Sequence, residues 1–425
     1  MSLRRIAALP RPLRLALGLA VGAILYATLQ PAAVVDQVVP WWCVACGDRG
    51  RADFLLNVIL FLPLGGVLGL TGARRRTAVL FGMFLSITIE LTQAFIPGRD
   101  TSLGDIISNT TGTLLGFVTV AVVLAQARRR RRPAPPTIGC TALALGVIAL
   151  TGRALRPSFP PSIYYGQWTA DLGGGLEWYR GHVLRATLGT TPLPSRQLDD
   201  QERIRALLRS GAPIEVTALA GPAPGRMAPL FSIYDDDERE ILMIAPQRND
   251  LVIRFWTRSL DWGLDRPYLT LAGALDGVRP GDYLDVRLWR QEGRTCLLVN
   301  NRRSCDLGFT AGAGWAVLIY PESFGWWVRA LLNSMWVGGI LLPVGFFASS
   351  RNSLVAAGVA VAVGLLVIPD AAGLSATPVW EWAGAGLGLA AGWLGRRLAA
   401  RIPLQPARAP QVVFTSAARQ RSMRS

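Results

Sequence analysis

Eight apolar runs constrain this chain more than any other feature; they lie near residues 12–30, 54–72, 77–97, 105–126, 137–152, 328–348, 353–369 and 378–395. A helix rises about 1.5 Å per residue, so crossing the hydrocarbon core of a bilayer takes about 20 residues. Most of the runs approach that length with few or no charges, the fifth being the shortest. A soluble fold could not cover so much apolar surface, since 51% of the 425 residues are hydrophobic and only 17% charged. The expected fold class is a polytopic α-helical membrane protein of about eight transmembrane helices, with an all-β domain inserted between residues 153 and 326.

The formal net charge of +16 raises the question of a nucleic-acid partner, and the distribution of charge argues against one. Residues 153–326 hold 20 Arg against 20 acids, while the rest of the chain holds 24 Arg against 8 acids. If the spans alternate, Arg4, Arg5, Arg11, Arg14, Arg74 to Arg76, Arg128 to Arg132, Arg351 and the seven Arg from Arg396 to Arg424 share one side. The positive-inside rule makes that side cytoplasmic. Both termini are then cytoplasmic and residues 153–326 extracytoplasmic, in a bacterial inner (cytoplasmic) membrane whose anionic lipids are the natural partners of the Arg runs. A cleaved signal peptide over residues 1–33, ending at "LQPAA", ranks below a retained helix, because cleavage would remove the first span of a four-helix unit.

The organisation follows from composition. Residues 1–127 read as a four-helix membrane domain, 128–136 ("RRRRRPAPP") as a basic Pro-rich cytoplasmic linker, and 137–152 as a fifth span. Residues 327–398 supply three more spans, and 399–425 form a basic tail expected to be disordered. Within 153–326, period-two stretches such as "YLDVRLW" and "LVIRFWT" alternate with the turn signals "LDGVRPGD" and "VNNRRS", which argues for an antiparallel sandwich. In "RTCLLVNNRRSC" a turn centred on Asn300 and Asn301 sets Cys296 opposite Cys305, in register for a disulfide. For Cys43 and Cys46 a local disulfide, a redox pair or half a metal site all fit. With one His in the chain, zinc is disfavoured. Four of the five cysteines fall on the oxidising side; Cys140 lies inside a span.

Polar residues interrupt the first four spans in a pattern. Asp53 and Asn57, Glu90 and Gln93, and Asp105 and Asn109 are each three or four apart, so each pair shares a helical face. Alternating topology brings all three pairs to the outer membrane surface, with Arg99 and Asp100 in the connection "PGRDTSLG" above them. A carboxylate in hydrocarbon costs about 2.5 to 3.5 kcal/mol on the gentlest scale, so Glu90 needs a partner, and Arg99 is the nearest basic candidate. The expectation is an outward-facing polar pocket for a lipid-linked or headgroup-sized ligand, or for a cation. The competing reading has Asp53 and Asp105 capping their helices while Asn57, Gln93 and Asn109 bond between helices as packing.

The stretches "DFLLNVILFLPLGGVLG" and "ITIELTQAFIPGRDTSLGDIISNTTGTLLG" resemble the VanZ-like family over residues 20–126, through Asp53, Asn57, Phe61, Pro63, Gly65, Glu90, Gln93, Arg99, Asp105, Asn109, Gly112 and Gly116. That family takes its name from an accessory membrane protein of glycopeptide-resistance clusters, associated with teicoplanin resistance. The resemblance marks a site without naming a reaction.

The segments "PLFSIYDDDEREILMIAPQRNDLVIRFWT" and "GDYLDVRLWRQEGRTCLLVNN" resemble laminin-G or concanavalin-A-like sandwiches of jelly-roll type, over residues 155–325. Such domains often bind carbohydrate or protein. Trp168, Trp178, Trp256 and Trp262 are the candidate sugar-stacking faces; Tyr179, Tyr268 and Trp289 are further aromatics in the domain, whose aromatics belong mostly to the core. Retaining glycosidases need two carboxylates about 5 Å apart, and the E-x-D-x-E spacing of catalytic sandwiches is missing, so no catalytic residue is assigned. The run Asp235 to Glu238 is a calcium candidate through its hard oxygens, although such acidic turns are usually just solvated; no other metal or cofactor is expected. His182, the only His, reads as a strand-surface residue and leaves no triad to build. The expected function is a cell-envelope accessory membrane protein that binds an envelope glycan or lipid-linked sugar, linked to glycopeptide resistance or polysaccharide handling. The alternatives are an enzyme on a lipid-linked sugar, with Glu90 or Asp105 as base and Arg99 clamping a phosphate, and a scaffold recruiting a protein partner.

Overall fold

The first five apolar runs become α1 (Arg11–Thr28), α2 (Gly50–Leu70), α3 (Arg75–Gln93), α4 (Leu103–Ala127) and α5 (Pro135–Ala154). The computed structural model describes residues 9–31, 40–47, 49–127, 135–173, 175–291, 294–319 and 324–401. Most helix limits extend beyond the apolar runs, because the first and last turns tolerate polar residues. Pro135 and Pro136, the last two residues of the expected linker, open α5, where a missing N–H has no helical partner to lose. Residues 128–134, Arg4, Arg5 and the tail beyond residue 401 lie outside the described residues.

Next comes the β domain. Its strands are β1 (Tyr164–Trp168), β2 (His182–Leu188), β3 (Thr191–Pro192), β4 (Ile214–Leu219), β5 (Phe231–Asp235), β6 (Glu240–Gln247), β7 (Asp250–Phe255), β8 (Leu269–Leu271), β9 (Tyr283–Gln291), β10 (Arg294–Val299) and β11 (Arg302–Leu307). Two short helices, α6 (Gln201–Ser210) and α7 (Arg258–Asp261), interrupt them. The strands form a five-stranded sheet in the order β1-β5-β6-β7-β8 and a six-stranded sheet in the order β11-β10-β9-β4-β2-β3, with antiparallel pairing throughout. Alternation decides which side chains meet between the sheets. Val216 and Ala218 of β4 and Leu284, Val286 and Leu288 of β9 share one core with Ile233, Ile244 and Ile253 of the other sheet. In the β10–β11 hairpin, Asn300 takes a left-handed φ of 49° and Cys296 is disulfide-bonded to Cys305 beside a register shift.

The chain ends in α8 (Trp326–Phe347), α9 (Arg351–Ala372) and α10 (Val379–Ala399). Among the described residues, five helices are long and apolar enough to cross a membrane: Gly50–Leu70, Leu103–Gln126, Pro136–Ala154, Trp326–Phe347 and Arg351–Ala372. The other three long helices, α1, α3 and α10, carry charged residues such as Arg14, Glu90 and Arg396 within their length. Such a set of apolar helices makes this a multi-pass membrane protein.

Two helical bundles result. α1 to α4 pack around Ile24, Phe61, Leu64, Leu68 and Ile89. There α2 and α4 touch backbone to backbone, because Cβ atoms at Gly112 and Gly116 would run into the carbonyls of Val58 and Leu62. α5, α8, α9 and α10 pack around Ile148, Val337, Leu341, Val361 and Leu365, and the bundles meet through Leu124, Phe346 and Ala399.

The sandwich is bonded to one end of both bundles. Arg49 Nη2 lies 3.0 Å from Asp265 Oδ2, and the Arg51 and Ala52 amides both donate to the Gly263 carbonyl. Burial pushes the Asp265 carboxyl up, and the Arg49 charge opposes that shift. On the other bundle, the fully buried Glu381 accepts from the Thr310 hydroxyl, the Gly312 amide (2.9 Å) and Asn333 Nδ2 (3.0 Å). Exposed Trp41, Trp42, Trp326, Trp327 and Trp380 occur in the loops and helix starts at this same end, where an interfacial aromatic belt would lie.

Candidate functional site

The start of α2, the end of α3 and the start of α4 converge at the sandwich end of the first bundle. Asp53, Asn57, Glu90, Gln93, Arg99, Asp105 and Asn109 all line one cavity there, of about 540 Å³. That volume falls within the range of ordinary ligand pockets, about 300 to 1,000 Å³. Its roof is the loop from Cys43 to Cys46, closed by a local disulfide. The Leu103 amide donates to the Trp41 carbonyl at 2.8 Å and ties that roof to the start of α4.

Hydrogen bonds fix most of the polar side chains. Asn57 Nδ2 donates to Asp105 Oδ1 at 2.7 Å, bridging α2 to α4. Gln93 Nε2 donates to the Thr28 carbonyl of α1 at 2.9 Å, and Asn109 Nδ2 donates to Ser86 Oγ of α3 at 2.9 Å. Asp105 thus bonds to a neighbouring helix, and α2 has no side-chain cap, so the capping reading fails for α2 and does not describe the Asp105 contact. The interhelical bonding expected of the three amides is present, and it leaves one acceptor free on two of them. Gln93 Oε1 and Asn109 Oδ1 are buried with no donor among the described residues.

The expected ion pair between Glu90 and Arg99 is absent. Glu90, only 5% exposed, accepts instead from the Ser102 amide at 2.7 Å, and Arg99 Nε donates to the Gln30 carbonyl at 2.8 Å. The reason is physical: Ser102 immediately precedes α4, where unpaired amides and the helix dipole attract a carboxylate without ordering a long side chain. Among the described residues the lining is therefore acidic and rich in acceptors, with Asp53, Glu90, Asp100 and Asp105 set against the single Arg99. Sequence reasoning missed Thr28, Ser86, Ser102 and the place of the Cys43–Cys46 loop over the cavity, while the local disulfide was one of its three readings. Only Ser86 carried a signal, four residues before Glu90 on the same helical face.

A family model described as VanZ/LLP1 matches residues 16–124. The VanZ/LLP1 segment covers about a quarter of the chain and contains every predicted pocket residue. No curated protein and no solved structure matches the chain. Both the sandwich and the C-terminal bundle lie outside the VanZ/LLP1 match.

Within the sandwich, the four candidate tryptophans do not form one platform. Trp168 and Trp256 pack against the core from β1 and the end of β7, three strand spacings apart, or roughly 14 Å. The Arg239 guanidinium lies 5.5 Å from the Trp256 ring centroid, and Trp256 Nε1 donates to Asp261. Trp262 sits at the contact with α2, its carbonyl accepting from Arg51. Trp178 remains 58% exposed, its Nε1 bonded to the Thr169 carbonyl. Asp235, Asp236 and Asp237 cluster, but Arg239 bonds Asp235 at 2.7 Å and Asp237 at 2.8 Å, compensating two of the three charges. His182 is an exposed strand residue opposite Leu219.

Proposed function

We propose that this chain is a cell-envelope accessory protein whose VanZ/LLP1 pocket binds a donor-rich polar group, the hydroxyls or ammonium of an envelope glycan or lipid-linked sugar. The observation that carries this reading is the pair of buried acceptors, Gln93 Oε1 and Asn109 Oδ1, left without donors beside the Glu90 and Asp105 carboxylates. An unmade bond at a buried acceptor costs about 1 to 3 kcal/mol, which a ligand hydroxyl or ammonium recovers. Binding is favoured over turnover, because Arg99 commits its Nε to Gln30 and is not free to clamp a phosphate with its full fork.

In this reading all eight long helices cross the bacterial inner membrane, both termini are cytoplasmic, and the concanavalin-A-like sandwich stands outside, over the pocket. Support comes from charge. Arg74, Arg75, Arg76, Arg351, Arg396 and Arg397 lie at the helix ends away from the sandwich, and the exposed tryptophans at the near ends. The sandwich, with Trp178 as its most exposed candidate face, would present the glycan to the pocket.

The test uses cells expressing the full chain. Expression of the wild-type chain should raise teicoplanin tolerance, and Glu90→Gln and Asn109→Leu should leave expression and thermal melting close to wild type while abolishing that gain. Folded variants that keep full tolerance would remove the pocket from the function.

A further inference from the structure

The cleft where the sandwich meets the second bundle has the opposite chemistry to the pocket. It encloses about 310 Å³ between the end of α5, the end of α9 with the residues that follow it, and the β9–β10 end of the six-stranded sheet. Strand parity explains what projects into it. Along β9 the inward positions are Leu284, Val286 and Leu288, each at most 2% exposed, and the next inward position is Arg290. There the inner face of the sheet runs out over the cleft, so the side chain is half buried.

The Arg290 guanidinium has neither a hydrogen-bond acceptor nor an acid partner among the described residues, although it lines the cleft beside two other arginines. Arg156 is anchored by donating to the carbonyls of Ala372 (3.0 Å) and Ala371 (2.9 Å) at the end of α9. Arg294 lies 3.9 Å from Asp306, a pair exposed enough for water to screen. Burial, and after it the Arg156 charge, push the Arg290 pKa down, a direction that a bound anion would reverse. Asp370, exposed at the rim, is the only carboxylate in the lining among the described residues. The remaining wall includes Phe255, Leu307 and Phe309, which are apolar.

We propose that this cleft binds a phosphate-ester anion, with Arg290 as the principal ligand, Arg156 and Arg294 completing the cradle, and the apolar wall lying along the group that the phosphate carries. A planar guanidinium suits phosphate oxygens through paired N–H bonds. A cleft at the junction of membrane helices and an outer domain lies where lipid headgroups sit, so the source is either a phospholipid or a soluble phosphate. The proposal is independent of the VanZ/LLP1 pocket, whose acids would repel such a ligand.

Full-length protein in neutral detergent is titrated calorimetrically with dioctanoyl phosphatidylglycerol and, separately, with inorganic phosphate. Saturable binding of at least one probe is expected. Arg290→Gln should weaken it about tenfold, the loss of one charge-assisted bond. Arg290→Lys should weaken it less, and Arg287→Gln, on the outward face of the same strand, should leave it unchanged. Binding of the lipid alone identifies a headgroup site; binding of both identifies a phosphate site open to solution. Failure of both probes to saturate the wild-type protein overturns the proposal, as does wild-type affinity in Arg290→Gln. If Arg290→Gln does not fold, Arg294→Gln at the exposed rim replaces it, and unchanged affinity there is equally fatal.

Discussion

The bond between Asn57 and Asp105 is the most direct test of how the pocket is assembled, because it joins residues 48 positions apart on two different helices. Its length of 2.7 Å and its carboxylate acceptor mark it as charge-assisted. Such bonds contribute about 1.5 to 3 kcal/mol in soluble proteins. Bonds between membrane helices average about 0.6 and reach about 1.7 kcal/mol, since helices separated in the bilayer find other partners. A charged acceptor at the mouth of a polar cavity places this pair in the upper part of the membrane range, at about 1 to 1.5 kcal/mol. Single substitutions misreport that value, because Asn57→Leu leaves Asp105 a bare carboxylate and Asp105→Leu leaves a bare amide. A double-mutant cycle cancels these costs. Unfolding of the full chain in mixed micelles by titration with dodecyl sulfate, followed by tryptophan fluorescence, should give a coupling of about 1 kcal/mol. A coupling below about 0.3 kcal/mol, the ordinary error of additivity, would mean that α2 and α4 do not present these side chains to one another. The three-helix account of the pocket would then be wrong.

Three further outcomes are expected. Glu240 is buried between Arg254, at 3.0 Å, and Arg266, at 3.2 Å, so Glu240→Gln leaves two guanidinium groups facing a neutral amide and should cost about 3 kcal/mol, read as a lower melting temperature of the full chain. Gly116→Val forces a side chain into the Leu62 carbonyl; it should exceed the usual overpacking penalty of about 1 to 3 kcal/mol and abolish the monodisperse peak in size-exclusion chromatography. Asp265 has a raised pKa in the folded protein, so the folded state binds more protons than the unfolded state above about pH 4, and stability falls as pH rises through the window up to the folded value. Asp265→Asn should remove that part of the slope in melting temperature against pH.

The polar pocket was legible because membrane helices expose their logic in one dimension. Apolar length located the long helices, and the spacing of Asp53 with Asn57 or Asp105 with Asn109 set the shared faces. The up-and-down packing of successive helices then brings the faces to one end, where the cavity is found. The partners were much less legible. Glu90 is held by the Ser102 amide and Gln93 donates to the Thr28 carbonyl, and backbone groups leave no trace in a pattern of side chains. Glu381 shows the same limit: a lone acid in an apolar helix signals a buried node, yet its contacts with Thr310, Gly312 and Asn333 arise only where α10 meets the sandwich edge and α8.

By itself the sequence determined that apolar helices must span a membrane, that an alternating β segment interrupts them, and that Cys296 and Cys305 fall in register across a hairpin. These are local consequences of length, period and turn chemistry. Tertiary structure alone decided that Arg99 turns to Gln30 and away from Glu90, that the Cys43–Cys46 loop roofs the cavity, and that Arg290 faces Arg156 across a cleft. Each of these depends on distances between segments far apart in the chain, and such distances are set by how helices and sheets pack.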